Sequence, residues 1–299
     1  MSPSIICGID DSTHARAAAR LTFALADRLL LRPVLVHVVS GAVPPLMPVM
    51  PHRAPLKRGE LALAAHEAGE QLLEEVLAEA GSSEARVRVD TGRPAERLVA
   101  AAEEEDAALV VVGTHGDGVG RATLLGSVSL ATVRDAPCPV IVVPPRAAVA
   151  EEAPLDGERV LCGAESADDR ACAHRAARLA RDLGLPLTLA HVLPAEEVGI
   201  DTPVPPAAGS GPQRRQAQAR VALRAVTEVP GAHDLRICTG EPAAELDALA
   251  ARERAAIVVV GTRGYGPLRS ALHGSVSRRL ACHGSRPLMV CPTRSPREG

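Results

Sequence analysis

Hydrophobic and polar positions along the chain group into short apolar runs of strand character, separated by stretches with helical spacing. Ile5-Ile6-Cys7-Gly8-Ile9-Asp10 reads as a buried strand that ends at an acidic residue. Ala17, Ala18, Leu21, Leu25 and Leu29 then recur on one helical stripe, and Val34-Leu35-Val36-His37-Val38-Val39 forms a second strand. The stretch from Ser40 to Pro55 carries too much Pro for regular structure. Beyond it the pattern predicts a helix from Lys57 to Ala80 and a strand ending Val87-Arg88-Val89-Asp90-Thr91-Gly92. Pro94 sits where a helix opens, followed by Ala95, Leu98, Val99 and Ala102 at helical spacing. The strand Leu109-Val110-Val111-Val112, one more helix, and the strand Pro139-Val140-Ile141-Val142-Val143-Pro144 complete the series.

The same series then runs again. Val160-Leu161-Cys162-Gly163-Ala164-Glu165 matches the first strand, and Ala176, Ala177, Leu179, Ala180 and Leu183 mark the helix after it. Leu187-Thr188-Leu189-Ala190-His191-Val192-Leu193 matches the second strand, and a second Pro-rich stretch runs from Pro194 to Pro212. A shorter helix is expected over Gln213 to Val226, then a strand ending Leu235-Arg236-Ile237-Cys238-Thr239-Gly240. Pro242 opens a helix marked by Ala243, Leu246, Leu249 and Ala250. Ile257-Val258-Val259-Val260 and Pro287-Leu288-Met289-Val290-Cys291-Pro292 are the last two strands. An internal repeat of this length is a duplicated supersecondary unit. Strands alternating with helices require right-handed crossovers, so the fold class is α/β: two tandem doubly wound domains, each an open five-stranded, mostly parallel sheet with helices on both faces. The expected domains are 1–145 and 158–295, with the Ala-, Pro- and Glu-rich segment from Pro145 to Glu158 as the linker.

In an open parallel sheet, ligands bind beyond the carboxyl ends of the strands, where the strand order reverses. The residues that converge there carry a recurring pattern. Gly113-x2-Gly116-x9-Gly126-Ser127 follows the first valine strand, and Gly261-x2-Gly264-x9-Gly274-Ser275 follows the second. Glycine lets a ligand approach main-chain N–H groups, and a Gly-Ser pair opening a helix aims unpaired N–H donors at an anion, which is the chemistry of a phosphate cradle. Ser127, Ser129, Ser275 and Ser277 add hydroxyl donors, and Arg121 and Arg269 occupy matching loop positions from which each can pair with phosphate oxygens. Asp10 and Glu165 end the first strands, where a carboxylate can accept from a ribose hydroxyl or an amino group, and Val38 and Val192 lie near the ends of the second.

Composition narrows the function further. The 299 residues, 46% hydrophobic and 23% charged, suit soluble globular domains, and a formal net charge of −3 with no basic run interleaved with aromatics argues against a nucleic-acid partner. The apolar runs fall far short of the roughly 20 residues that span a bilayer, and the start Met1-Ser2-Pro3-Ser4 lacks a signal-peptide layout, so no membrane partner is expected. Seven scattered cysteines, without a Cys-x2-Cys pair, point to a reduced, cytoplasmic protein, and no His-x3-His pattern supports a zinc site. Neither glycine loop contains a lysine or a Walker pattern, so no catalytic residue is assigned and any hydrolysis should be slow. Cys7 and Cys162 read as core fillers, His37 and His191 as satisfied core histidines, and Glu103-Glu104-Glu105-Asp106 as a solvated helix end.

These residues resemble the universal stress protein family, whose nucleotide-binding members carry Gly-x2-Gly-x9-Gly-[Ser/Thr] behind a valine-rich strand. The resemblance spans nearly the whole chain as two tandem domains. It implies a Rossmann-like fold of the adenine nucleotide alpha hydrolase type and binding of ATP, with Mg²⁺. The matching ATP-contacting positions are Asp10, Val38, Gly113, Gly116, Gly126, Ser127, Val128 and Ser129 in the first copy. In the second they are Glu165, Val192, Gly261, Gly264, Gly274, Ser275, Val276 and Ser277. Glu165 departs from the family's usual Asp by one methylene, which puts the geometry of that end of the second site in doubt. The resemblance also implies a cytoplasmic protein made under stress that pairs its like domains within the chain through the last strand of each, leaving a homodimer and an unknown protein partner open. Three readings follow: a nucleotide-dependent sensor with little or no turnover, an interaction module that uses the pseudo-dimer surface without nucleotide, and a slow ATPase.

Overall fold

The computed structural model describes residues 2–40, 58–81, 85–114, 126–149, 155–165, 169–193, 232–261 and 275–292. The chain divides into two compact units, residues 1–143 and 144–299. The first contains β1 (Ser4–Ile9), α1 (Thr13–Leu29), β2 (Arg32–Val39), α2 (Arg58–Glu79), β3 (Arg86–Thr91), α3 (Pro94–Glu104), β4 (Ala107–Gly113), α4 (Ser127–Asp135) and β5 (Val140–Val143). Its strands lie in the order β3-β2-β1-β4-β5, and every pairing is parallel. The chain steps from β1 outward to β3, then crosses back to β4 and β5, so the order reverses between β1 and β4. Right-handed crossovers in opposite directions put their helices on opposite faces. Accordingly α3 packs against α4 on one face, while Arg16 of α1 reaches Glu79 of α2 on the other.

The second unit contains α5 (Pro145–Ala148), β6 (Arg159–Gly163), α6 (Arg170–Asp182), β7 (Leu187–Leu193), β8 (Ala232–Thr239), α7 (Pro242–Arg252), β9 (Ala255–Gly261), α8 (Ser275–His283) and β10 (Leu288–Cys291). The order β10-β9-β6-β7-β8 is again parallel throughout, with its reversal between β6 and β9. The helix expected over Gln213 to Val226 and both Pro-rich stretches lie outside the described residues.

Both cores are aliphatic. Ile5, Ile6, Leu25, Leu35, Leu73 and Ile141 are fully buried in the first unit, and Leu161, Leu187, Leu189, Leu249 and Ile257 in the second. Ser12 caps α1 by accepting from Ala15 N, and Pro94 and Pro242 occupy the first turns of α3 and α7, where a missing N–H costs nothing. α1 ends on Leu30 at φ 55°, an 81% exposed leucine in the left-handed region, whereas Gly184 at φ 69° follows α6.

One expectation needs correcting in part. The acidic run is a solvated helix end at Glu103, Glu104 and Asp106, which are exposed, but not at Glu105, whose side chain is only 8% exposed, 2.6 Å from Arg86 Nη1, with Arg32 approaching it from β2. Glu104 binds Arg88 at 2.6 Å, and Arg88 in turn donates to Asp90, which also accepts from Arg97. The run is thus one side of an ion-paired network along β2, β3 and α3. The stretch from Pro145 to Glu158, expected as the linker, is held at both of its described ends. Its first turn is α5, which packs on α8 with Arg146 near Asp247 and the His283 carbonyl, and its end is held by the Glu158 N–H donating to Arg254 O at 2.7 Å.

Candidate functional site

In the second unit the carboxyl ends of β6, β7 and β9 open into a cavity of about 270 Å³ at the strand-order reversal. Pro242 and Leu246 of α7 and Val260 of β9 supply apolar lining. Glu165, Val192, Gly261, Val276 and Ser277, all expected site residues, line it too. Gly264, Arg269 and Gly274 lie outside the described residues. Ser275 opens α8, whose first turn reaches the cavity through Val276 and Ser277. A helix N-terminus presents unpaired N–H groups and the positive end of its dipole, which favours an anion at this edge.

Sequence reasoning missed Asp169. Its Oδ2 accepts from Glu165 N at 2.7 Å, which ties the residue after β6 to the start of α6, and it lines the cavity beside Gly261. A Cβ on Gly261 would stand 3.2 Å from Asp169 Oδ1 and 3.7 Å from Cys172 Cβ, so the glycine makes room for the start of α6. The only signal in the sequence was an acidic residue in the turn between the first strand and its helix. His191 also lines the cavity. Its Nδ1 lies 2.9 Å from Ala164 O, and because a carbonyl only accepts, Nδ1 carries a proton and donates to it. His37 makes the same bond to Ile9 O at 2.9 Å, so both histidines are satisfied as expected.

The first unit repeats this framework with different edges. The Asp10 carboxylate accepts from both the N–H and the hydroxyl of Ser12, tying the end of β1 to the cap of α1. Val38, half-buried in β2, pairs with Asp90 of β3. Gly113 ends β4 against His14, whose Cβ and backbone a Cβ on the glycine would meet at 2.9 Å. Gly126 caps α4 without a side-chain hydrogen bond, and its N–H donates to Thr114 O at 2.8 Å. Ser127 is exposed and Val128 half-buried. The Ser129 hydroxyl is buried and donates to Gly113 O at 2.6 Å, so it clamps the strand end to the helix start. Gly116 and Arg121 lie outside the described residues.

Several thiols sit beneath these sites. Burial pushes the Cys7 thiol up to about 12. Hydrogen bonding with Cys162 and burial hold Cys172 well above the ordinary cysteine range, and its bond to Cys172 together with burial does the same for Cys291. Scarce thiolate makes these core fillers rather than nucleophiles. Among the described residues no group of three or more His, Cys, Asp or Glu side chains is placed to hold a metal ion. No helix among the described residues is long and apolar enough to cross a membrane.

Comparison with known proteins places this architecture. A universal stress protein of Mycobacterium tuberculosis strain H37Rv is 31% identical over 306 residues, covering 97% of this chain and 96% of its own. One from Thermus aquaticus is 34% identical over 143 residues, which is 48% of this chain and 99% of that protein. The crystal structure of a universal stress protein from Archaeoglobus fulgidus shares the fold, with a TM-score of 0.66 at 19% identity over 98% of this chain and 100% of that one. The model of the universal stress protein family matches residues 1–144 and again residues 157–292. The chain therefore belongs to the universal stress protein family, with two such domains in tandem.

Proposed function

We propose that each unit binds an adenine nucleotide, ATP with Mg²⁺, and that the protein is a cytoplasmic sensor in a stress response whose occupancy, not turnover, carries the signal. The observation that carries this reading is the cavity at the β6/β9 reversal, which joins an apolar wall, two carboxylates and a helix N-terminus in one space. Apolar lining with a few convergent polar groups is the usual make-up of a small-molecule site. Pro242, Leu246 and Val260 suit a base, the N–H groups of the first turn of α8 suit phosphate, and Glu165 suits a hydroxyl or amino group. In the first unit Asp10, Val38, Gly113 and the first turn of α4 at Ser127, Val128 and Ser129 hold the corresponding places. Their glycine cap leaves the first N–H groups of α4 without a side-chain partner. Because no set of three carboxylate, His or Cys ligands stands ready among the described residues, Mg²⁺ would arrive on the phosphates. The cation then neutralises phosphate charge and does nothing further in this reading.

Turnover is not part of the reading. A phosphoryl-transfer site needs a group that positions or activates the attacking oxygen and a cation aimed at the transferred group. The loops 113–126 and 261–274 contain arginines but neither a lysine nor a Walker pattern, and His191 donates a hydrogen bond from Nδ1 to a backbone carbonyl. The test is to denature the purified full chain and count the released nucleotides by chromatography and mass spectrometry. Close to two per chain is the expected result. None released, together with no binding of added Mg-ATP by calorimetry, would overturn the reading in favour of an interaction module.

A further inference from the structure

Three thiols meet beneath the cavity of the second unit. Cys162 of β6 stands in register with Val259 of β9, and Cys291 of β10 with Gly261, two residues further along β9. Alternate residues of a strand share a face, so the two cysteines flank β9 on one face, one on each side. Cys172 of α6 covers the middle: a Cβ on Gly261 would stand 3.7 Å from Cys172 Cβ and 4.0 Å from its Sγ. Cys172 hydrogen-bonds with Cys162 and with Cys291. The first unit has no such group. Val143 takes the register position of Cys291 beside Gly113, α1 contains no cysteine, and the partner of Cys7 on that helix is the Thr22 hydroxyl.

We propose that Cys172 is the shared member of a redox-active dithiol, which a peroxide converts to a disulfide with Cys162 or Cys291. One sulfur attacks a peroxide oxygen, the O–O bond breaks, and water leaves as that sulfur becomes a sulfenic acid. The neighbouring sulfur then forms the S–S bond, the S–O bond breaks, and the hydroxyl leaves with the thiol proton as a second water. The two sulfurs together lose two electrons and the peroxide gains them. Burial makes the first step slow, in keeping with thiols that fill the core while reduced. The second step is fast because the partner sulfur is already in contact. Cys172 is indispensable, since Cys162 and Cys291 stand two strand spacings apart, about 9.6 Å, beyond the roughly 7 Å between Cα atoms that a disulfide spans. An S–S bond of about 2.05 Å holds the sulfurs closer than a hydrogen bond does, so oxidation draws the start of α6 onto the sheet. Asp169 moves with it, and Asp169 lines the cavity and accepts from Glu165 N at 2.7 Å. Oxidation therefore reshapes the cavity and, resting on the nucleotide reading above, weakens ATP binding by the second unit alone.

The test treats the full chain with hydrogen peroxide, unfolds it in excess N-ethylmaleimide to block remaining thiols, and maps its peptides by mass spectrometry. The expected product is a pair of peptides joined through Cys172, two hydrogens lighter than the reduced pair and separated by dithiothreitol. Cys162→Ala and Cys291→Ala should each keep a disulfide at Cys172, whereas Cys172→Ala should form none between Cys162 and Cys291. In parallel the protein is photolabelled with 8-azido-ATP, and labelled peptides are assigned to one unit or the other. Oxidation should weaken labelling of the second unit by about threefold or more, reversibly with dithiothreitol, and leave the first within about 1.5-fold. Parent protein whose Cys172 stays reduced, or stops at sulfinic or sulfonic acid, while half-buried Cys238 is oxidised would overturn the dithiol, and that result needs no variant. A Cys172 disulfide with unchanged labelling of the second unit would overturn the link to the cavity. Absence of saturable labelling of either unit in the reduced protein would overturn the nucleotide reading instead, and the peptide map alone then decides the dithiol.

Discussion

Gly126→Ala tests whether the start of α4 is shaped for a ligand or merely for a turn. Gly126 has φ −57° and ψ 144°, angles that alanine adopts without strain, so the backbone conformation does not require glycine. Space does. A methyl group there would stand 2.6 Å from the Thr114 carbonyl oxygen, the same oxygen that accepts from Gly126 N at 2.8 Å. Carbon and oxygen settle at roughly 3.3 Å or more, so the end of β4 and the start of α4 must part by roughly 0.7 Å. That movement stretches the Gly126–Thr114 bond and the Ser129 clamp on Gly113 O. A weakened, partly buried hydrogen bond costs about 1 kcal/mol, and overpacking adds about 1–2 kcal/mol, so the variant should lose about 2–3 kcal/mol in stability.

The same displacement moves the N–H groups of the first turn away from any phosphate they hold, and ATP affinity of the first unit should fall tenfold or more, about 1.4 kcal/mol. Denaturant unfolding reads the first loss and unit-resolved 8-azido-ATP labelling the second. Ser127→Ala is the comparison: the residue is exposed, its loss should cost under about 0.5 kcal/mol, and it leaves the N–H groups in place. Gly126→Ala protein with the parent's stability would refute the packing argument. Protein that is destabilised but binds ATP in the first unit as the parent does would keep the packing argument and refute the phosphate cradle.

Two further outcomes follow from the charges and thiols. At Asp90, whose side chain is 9% exposed, burial works to raise the pKa, but hydrogen bonds and charge from Arg88 and then Arg97 outweigh it and hold the group below the ordinary value. A depressed folded-state pKa gives stability that is complete above the unfolded aspartate value, about 3.9, and is lost as pH falls through the lower folded value. Asp90→Asn should therefore cost about 1–2 kcal/mol at neutral pH, with the gap from the parent closing in acid unfolding below about pH 4, and a gap independent of pH would sink the assignment. For the thiols, iodoacetamide should modify half-buried Cys238 first in the folded protein and leave Cys7, Cys162, Cys172 and Cys291 untouched until unfolding, as read by peptide mass spectrometry. Native-state labelling of Cys172 ahead of Cys238 would mean that the core of the second unit opens locally.

The strands and helices were legible because burial imposes a period on the sequence, and two copies of each element remove most of the ambiguity. Arg58–Glu79 was expected as a helix over Lys57 to Ala80, and Pro94 and Pro242 marked their helix starts. What could not be read depends on residues brought together from afar. Glu105 is buried because Arg32 and Arg86 come from two neighbouring strands to meet it, and nothing in a run of four acidic residues announces that. Leu30 in the left-handed region defies the rule that glycine ends such helices, since the tertiary course of the chain into β2 overrides local preference. Asp169 and His14 face matching glycines only because two helices start over the ends of two strands more than 90 residues away, which no local pattern encodes.

The duplication also separates what holds the fold from what tunes the site. A Cβ on Gly8 would meet Leu98 at 3.0 Å and Val112 at 3.5 Å, and one on Gly163 would meet Leu246 at 3.0 Å and Val260 at 3.5 Å. Cys7 and Cys162 donate to the following glycine carbonyl at the same 3.9 Å, and His37 and His191 stand at the same 2.9 Å from the carbonyl of the residue that follows that glycine. Packing at the interior ends of these strands is thus the same in both units. The differences gather at the rim: Asp10 bonded to Ser12 against Glu165 fixed by Asp169, and the His14 backbone and Cβ against the Asp169 carboxylate beside the first loop glycine. A close-packed interior resists change because every methylene is felt by its neighbours, whereas a rim residue is constrained only by its own hydrogen bonds and by the ligand. Ser127→Ala and Glu165→Asp, at exposed rim positions, should therefore leave unfolding free energies within about 0.5 kcal/mol of the parent. By contrast Leu98→Ala and Leu246→Ala should each cost about 2–5 kcal/mol through the void left against its glycine, and Leu246→Ala should also weaken binding because Leu246 lines the cavity. If the rim variants unfolded as readily as the core ones, the division between scaffold and site drawn from the two copies would fail.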